Sequence, residues 1–289
     1  MRRCRSTVEL RAADLETPGL YVKAHPSDPM EVFPNFMVVG PQRTGTTWLH
    51  YNLSQHPQVF MSRKKEIYFF NLLNKPDHPK YRSSDLAWYL RHFNPGLFHR
   101  IERQVWCISR WRRRCSVQVR GEATASYAAM EPELIDEIVR LQPDMKAIIM
   151  VRNPVTRAWS HAIKDLVKRP KRKAREITEA EWLDYFTDPY QLACGRYSRI
   201  IDNWTERLGA ERVFVGRFED IAERPQELLK GLLSFLGVEA GDAMTGRADT
   251  KINAGVRNDI PDDLRAKLGE LFARELRELN SRFGWEYPV

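Results

Sequence analysis

Two kinds of apolar spacing alternate along this chain. Short unbroken runs such as FMVV (36–39) and KAIIMV (146–151) have the length and composition of strands buried on both faces, and each gives way to a stretch with apolar residues three or four apart. FMVV ends at Gly40 and Pro41. From Thr46 onward Leu49 and Leu53 stand at i and i+4, so a helix is expected that stops before His56-Pro57. The alternation returns as SVQVRGE then PELIDEIVRLQ, as KAIIMV then PVTRAWSHAIKDLVK, and as RVFVGRFED then PQELLKGLLSFLG. Strands alternating with helices predict a central parallel β-sheet flanked by helices. With no internal repeat and no low-complexity linker, the expectation is a single α/β domain over residues 34–289, of the P-loop nucleotide-kinase-like kind. Residues 1–33 are polar and broken by Pro18, Gly19, Pro26 and Pro29, which predicts an irregular arm.

Composition narrows the partners. A chain of 289 residues at 43% hydrophobic can bury a sizeable core, and its net charge of +8 calls for an anion: nucleic acid, acidic membrane, or a phosphorylated or sulfated small molecule. Two basic runs, SRWRRRC around 110–114 and KRPKRKAR at 168–175, read either as solvated faces or as an electrostatic funnel toward an anionic substrate. No zinc finger, RNP motif or helix-turn-helix accompanies them, so nucleic acid is not expected as a partner. No apolar run approaches the roughly 20 residues that cross a bilayer, and the N-terminal arginines lack the apolar core of a secretory signal. Cys4, Cys107, Cys115 and Cys194 show neither C-x-x-C spacing nor a paired histidine cluster. They read as free thiols in a reducing compartment, with a cytoplasmic location.

The stretch VVGPQRTGTTWLH (38–50) carries the candidate chemistry. A strand that ends in a glycine turn and opens a helix presents unpaired backbone N–H groups at the positive end of the helix dipole. Gly45 permits close approach, Thr46 and Thr47 add hydroxyls in the first turn, and Arg43 supplies a planar, permanently charged fork. A nucleotide hydrolase or kinase would carry lysine where this chain has Thr46, and an Asp at the tip of a neighbouring strand to hold Mg²⁺. KAIIMV ends instead in Arg152, within VRNPVTRAWSH. A cation there repels a metal and favours a second phosphate. Asn153 suits an N-cap and Pro154 the first helical position, so a second strand-turn-helix anion geometry is expected, with Ser160 about two turns on.

GPQRTGTTWL resembles the 5′-phosphosulfate loop, and VRNPVTRAWSH the 3′-phosphate motif, of sulfotransferases that use 3′-phosphoadenosine 5′-phosphosulfate (PAPS); their separation of about 110 residues also suits that family. RKKEIYFFN, GEATASY and the block from CGRYSR to FLGV extend the resemblance over residues 36 to about 257. The branch resembled is the one that modifies glycans, as a bacterial member. This resemblance implies PAPS as co-substrate, no metal, and a hydroxyl-bearing acceptor, most simply a carbohydrate. A P-loop kinase or hydrolase is the alternative, disfavoured by Thr46 and Arg152.

The resemblance also assigns roles. Glu66 in KKEIYFF matches the glutamate that acts as general base; the blander reading is an exposed glutamate paired with Lys64 or Lys65. No histidine block of the cytosolic small-molecule branch is found, and His50, His56 and His161 read as helix-end or surface residues. Arg43 stands where lysine is common and would bridge the leaving phosphate and the sulfonyl group. Thr44, Gly45, Thr46, Thr47 and Trp48 would wrap the 5′-phosphosulfate, and Trp48 reads equally as core. Arg152 and Ser160 would bind the 3′-phosphate, Lys251 and Arg257 would close over it, and Tyr197 would touch nucleotide or acceptor or simply be buried. Ala123 departs from a lysine that several glycan-modifying relatives carry after the glutamate of GEATASY, and the family's glycine-rich C-terminal loop is not reproduced.

Overall fold

The computed structural model describes residues 21–246, 248–250, 252 and 259–288. Five parallel strands, β1 Phe36–Gly40, β2 Val59–Met61, β3 Val119–Ala123, β4 Lys146–Val151 and β5 Val213–Arg217, form one sheet in the order β2-β3-β1-β4-β5. The principal helices are α1 Thr46–Ser54, α2 Leu97–Trp111, α3 Pro132–Leu141, α4 Pro154–Ala162, α5 Tyr197–Leu208, α6 Pro225–Leu236 and α7 Asp262–Phe283; α4 runs on as a π-helix over Ile163–Lys168. The strand-helix alternation predicted from the apolar runs is therefore present.

Burial on both faces explains why β1 and β4 read as unbroken apolar runs. Phe36 and Val38 of β1, with Ile148 and Met150 of β4, face Leu49 and Leu53 of α1 and the leucines of α6. Met37 and Val39, with Ala147, Ile149 and Val151, face the other layer, built from α3, α4, α5 and α7. β1 lies between β3 and β4, so the chain changes side at this point and leaves a crevice beyond the carboxyl ends of the strands, where open α/β sheets bind ligands.

Some features depart from the sequence reading. The three-residue edge strand β2 and helix α2 were not predicted, and SVQVRGE pairs only from Val119. Cys107 and Cys115 are not free thiols: they form a disulfide with Cα atoms 5.5 Å apart. The last turn of α2 and the left-handed Arg112, at φ 54°, turn the chain back on itself and bring Cys115 beside the helix. Cys194 is free and buried. The inference of a reducing, cytoplasmic setting loses its cysteine support; no helix among the described residues is long and apolar enough to cross a membrane.

Candidate active site

β1 ends where only glycine fits. Gly40 has φ 107°, and a Cβ on it would lie 2.2 Å from the carbonyl oxygen of Ala125. Arg43 and Gly45 also adopt left-handed backbone, φ 73° and 86°, and Gly45 caps α1 with no side chain to satisfy the helix. The N–H groups of the first turn are thus left for a ligand. Thr44, fully buried, donates its hydroxyl to Pro41 O at 2.6 Å and braces the loop from inside. The loop borders a cavity of about 1480 Å³.

The second motif opens into the same cavity. Arg43 Nε donates to Ser160 Oγ at 2.9 Å, across 117 residues of sequence. Arg152 donates from Nε to Thr156 Oγ1 and from a terminal nitrogen to Arg43 O, both at 3.1 Å, and its guanidinium lies over the Phe218 ring at 4.6 Å. Arg43, Arg152 and Ser160, assigned to two separate phosphates, therefore line one wall. Burial lowers the pKa of both arginines, and among the described residues neither has a carboxylate within ion-pair distance. Half-buried cations without counter-charges suit an anionic ligand. The β4–α4 turn differs from the β1–α1 turn in one respect: Asn153 Oδ1 accepts from the N–H groups of Val155 and Thr156 at 3.0 and 3.2 Å, so this helix start is already capped. Its contribution comes from side chains, not from free backbone donors.

Glu66 lines the same cavity as the β1–α1 loop, with a side chain 25% exposed. Its backbone is left-handed, φ 61°, held by Glu66 N–H to Ala123 O at 2.9 Å, and its carboxylate accepts from Ala125 N–H at 3.2 Å. Lys65, which the sequence reading treated only as a partner for Glu66, donates to Thr46 Oγ1 at 3.1 Å and Thr47 Oγ1 at 3.0 Å while lying 3.4 Å from Glu66. The cation missing from position 46 is supplied from the segment after β2. The absence of a loop lysine was itself the signal that another cation should be sought.

Behind this segment lies Glu122, fully buried, accepting from Tyr89 OH at 2.5 Å and Thr124 Oγ1 at 2.7 Å. Thr124 Oγ1 in turn accepts from Ile67 N–H at 3.0 Å. Burial raises the Glu122 carboxyl to about 7, against the opposing effect of these hydrogen bonds. It does not reach the cavity wall.

The remaining assigned residues fall differently. Trp48 borders the cavity but is 3% exposed, packs into the α1–α6 layer and donates Nε1–H to Ala248 O at 3.0 Å. Tyr197 is fully buried and does not line the cavity; its hydroxyl accepts from Arg152 N–H at 3.3 Å, so it stands behind the arginine. Lys251 and Arg257 lie outside the described residues. His161 stands in the last turn of α4, as the helix-end reading has it, and is 3% exposed on the cavity wall, where burial together with nearby Arg157 depresses its pKa to about 4. His56 is likewise buried and bonded to Glu239 O at 2.9 Å. Of the basic runs, Lys168 and Arg169 reach the cavity rim whereas 110–114 do not.

Comparison with known proteins adds an independent line. The model of the sulfotransferase family matches residues 34–242. Heparan sulfate glucosamine 3-O-sulfotransferase 6 of Mus musculus is 27% identical over 227 residues, covering 78% of this chain and 58% of that protein. Membrane-associated sulfotransferase kil1 of Dictyostelium discoideum is 27% identical over 181 residues, 62% of this chain and 33% of that one. The chain thus spans about a third and somewhat over half of these relatives' lengths. Among solved structures, the sulfotransferase from Alicyclobacillus acidocaldarius superposes with a TM-score of 0.61 at 27% identity, covering 88% of this chain and 97% of that one.

Proposed function

The chain belongs to the sulfotransferase family, and on that premise we propose that it transfers a sulfuryl group from PAPS to an acceptor hydroxyl, in the first instance that of a carbohydrate. The observation that carries this reading is the convergence of Arg43, Arg152 and Ser160 on one cavity that also receives the uncapped start of α1. A nucleotide with anionic groups at two ends matches that arrangement; a triphosphate with Mg²⁺ would instead meet Arg152 at the strand tip. Support for a sugar acceptor comes from the named specificity of the mouse relative and from a carboxylate, Glu66, on the wall of the same cavity.

The residues divide the work. Free N–H groups of α1, with Thr46, Thr47, Lys65 and Arg43, hold the 5′-phosphosulfate and offset the charge that grows on the departing phosphate. Arg152, Thr156 and Ser160 fix the 3′-phosphate, so the sulfur is presented in line with the acceptor. Glu66 takes the proton from the acceptor hydroxyl as its oxygen bonds to sulfur; the sulfur–phosphate oxygen bond breaks and adenosine 3′,5′-bisphosphate leaves. Lys65, between Glu66 and the threonines, is placed to follow charge from the base to the leaving group.

Isothermal calorimetry tests this directly. Adenosine 3′,5′-bisphosphate should bind in the presence of EDTA, and labelled PAPS offered with a panel of sugar, phenol and peptide acceptors should label the sugars. Binding of ATP only with magnesium, and none of the bisphosphate, would overturn the assignment.

A further inference from the structure

Helix α2 is inverted relative to the other helices. Leu97, Phe98, Ile101, Val105 and Ile108 are 74, 82, 54, 62 and 48% exposed. At about 100° per residue these five fall within one arc of roughly 100° on the outer side. The inner side is held by polar anchors: Arg103 donates to the carbonyl oxygens of Val59 and His56, Gln104 exchanges hydrogen bonds with the Cys115 backbone at 3.0 Å, and Cys107 is disulfide-bonded to Cys115. The orientation is therefore fixed with the apolar stripe outward, and the described residues do not cover it.

The charge around the stripe indicates what does. Arg112, Arg113 and Arg114 follow at the end of the helix, all exposed, and Arg100 is exposed on its flank. Arg113 is paired with Glu239 at 2.7 Å; Arg100, Arg112 and Arg114 have no ion pair among the described residues. This is the basic run that takes no part in the cavity. An apolar stripe continuous with a cationic cluster matches the boundary of an anionic bilayer, where acyl chains lie directly beneath phosphate headgroups. A second copy would have to bring the same positive face against itself on a chain of net charge +8. We propose that α2 is a membrane-surface anchor, lying in the plane of an anionic bilayer with Phe98, Ile101 and Val105 in the acyl region and Arg112 and Arg114 at the headgroups.

Flotation of the full chain with phosphatidylcholine vesicles, with and without about 30% phosphatidylglycerol, tests this. The anionic vesicles should bind the chain at least about tenfold more tightly than the neutral ones. Phe98→Ser with Ile101→Ser and Val105→Ser should lower that binding at least about tenfold with an unchanged thermal melt, because these side chains are exposed. Arg112→Glu with Arg114→Glu, which leaves the apolar stripe itself unchanged, should abolish the preference for anionic vesicles and serves if the first variant misfolds. No binding to anionic vesicles, or binding that both variants retain, would refute the proposal. So would a dimer in solution that the serine variant dissolves while vesicles are ignored.

Discussion

Thr46 stands where a phosphate loop usually has its lysine, and Lys65 reaches the same place from a segment 19 residues later. Glu66 follows immediately, so under the proposed function one short stretch would carry both a cation for the phosphosulfate and the base. Glu66→Gln should lower turnover by on the order of 10²- to 10⁴-fold, with affinity for adenosine 3′,5′-bisphosphate within a few-fold of wild type; single-turnover kinetics beside calorimetry separates the two, and near-normal turnover would move the base elsewhere. Lys65→Ala should reduce both quantities, because it removes a cation that lies at the Thr46 and Thr47 hydroxyls and beside Glu66, where a charge-assisted hydrogen bond to the ligand would be worth about 1.5–3 kcal/mol. Glu122 gives a pH signature. Burial raises its carboxyl to about 7, so between an ordinary value of 4.5 and about 7 the folded chain keeps a proton that the unfolded chain releases. Stability contributed at this site therefore falls as pH rises through that window, by on the order of 3 kcal/mol once pH 8 is reached. Glu122→Gln should flatten the decline measured by urea unfolding from pH 5 to 8; an unchanged slope would assign the pH dependence to other groups.

The two strand-helix turns share a cavity but use different physics, and this decides what substitution does to each. At β1–α1 the backbone N–H groups are left free behind Gly40 and Gly45, whose positive φ and close neighbours exclude a Cβ; at β4–α4 Asn153 has already capped the helix, and under the proposed function binding would fall to Arg152, Thr156 and Ser160. Arg152→Ala should therefore cost a few kcal/mol for a nucleotide bearing a 3′-phosphate and little for its dephospho form. Calorimetric titration of both ligands shows whether the loss is selective, and equal losses would contradict the role. These two turns were legible in the sequence because strand, turn residues and helix start are contiguous, and buried parallel strands leave unbroken apolar runs. The place of Lys65 at the loop was not legible, since its contact with Thr46 depends on how the segment after β2 folds back over the loop. The Cys107–Cys115 pair escaped because its spacing matches no short cysteine motif and its closure depends on the end of α2. Helix α2 itself has regular apolar spacing, but here that spacing marks exposure, where in α3 and α6 it marks the core.

The sheet sets the two turns on adjacent strands, so a ligand that touches both is bound by the middle of the molecule. Arg43 and Ser160 already join the β1 and β4 sides in the described structure, and Arg152 reaches Arg43 O across the same seam. A bisphosphate filling this seam binds only when both turns are formed, which couples its affinity to global unfolding. At a free concentration about 100-fold above its dissociation constant it should stabilise the chain by about 2.7 kcal/mol. The urea midpoint should rise with ligand concentration at constant slope, since the surface exposed on unfolding is unchanged. Arg152→Ala should need proportionally more ligand to reach the same midpoint. A biphasic transition in which only one step responds to ligand would mean that the two sides of the sheet unfold separately, and the shared cavity could not then act as a single nucleotide site.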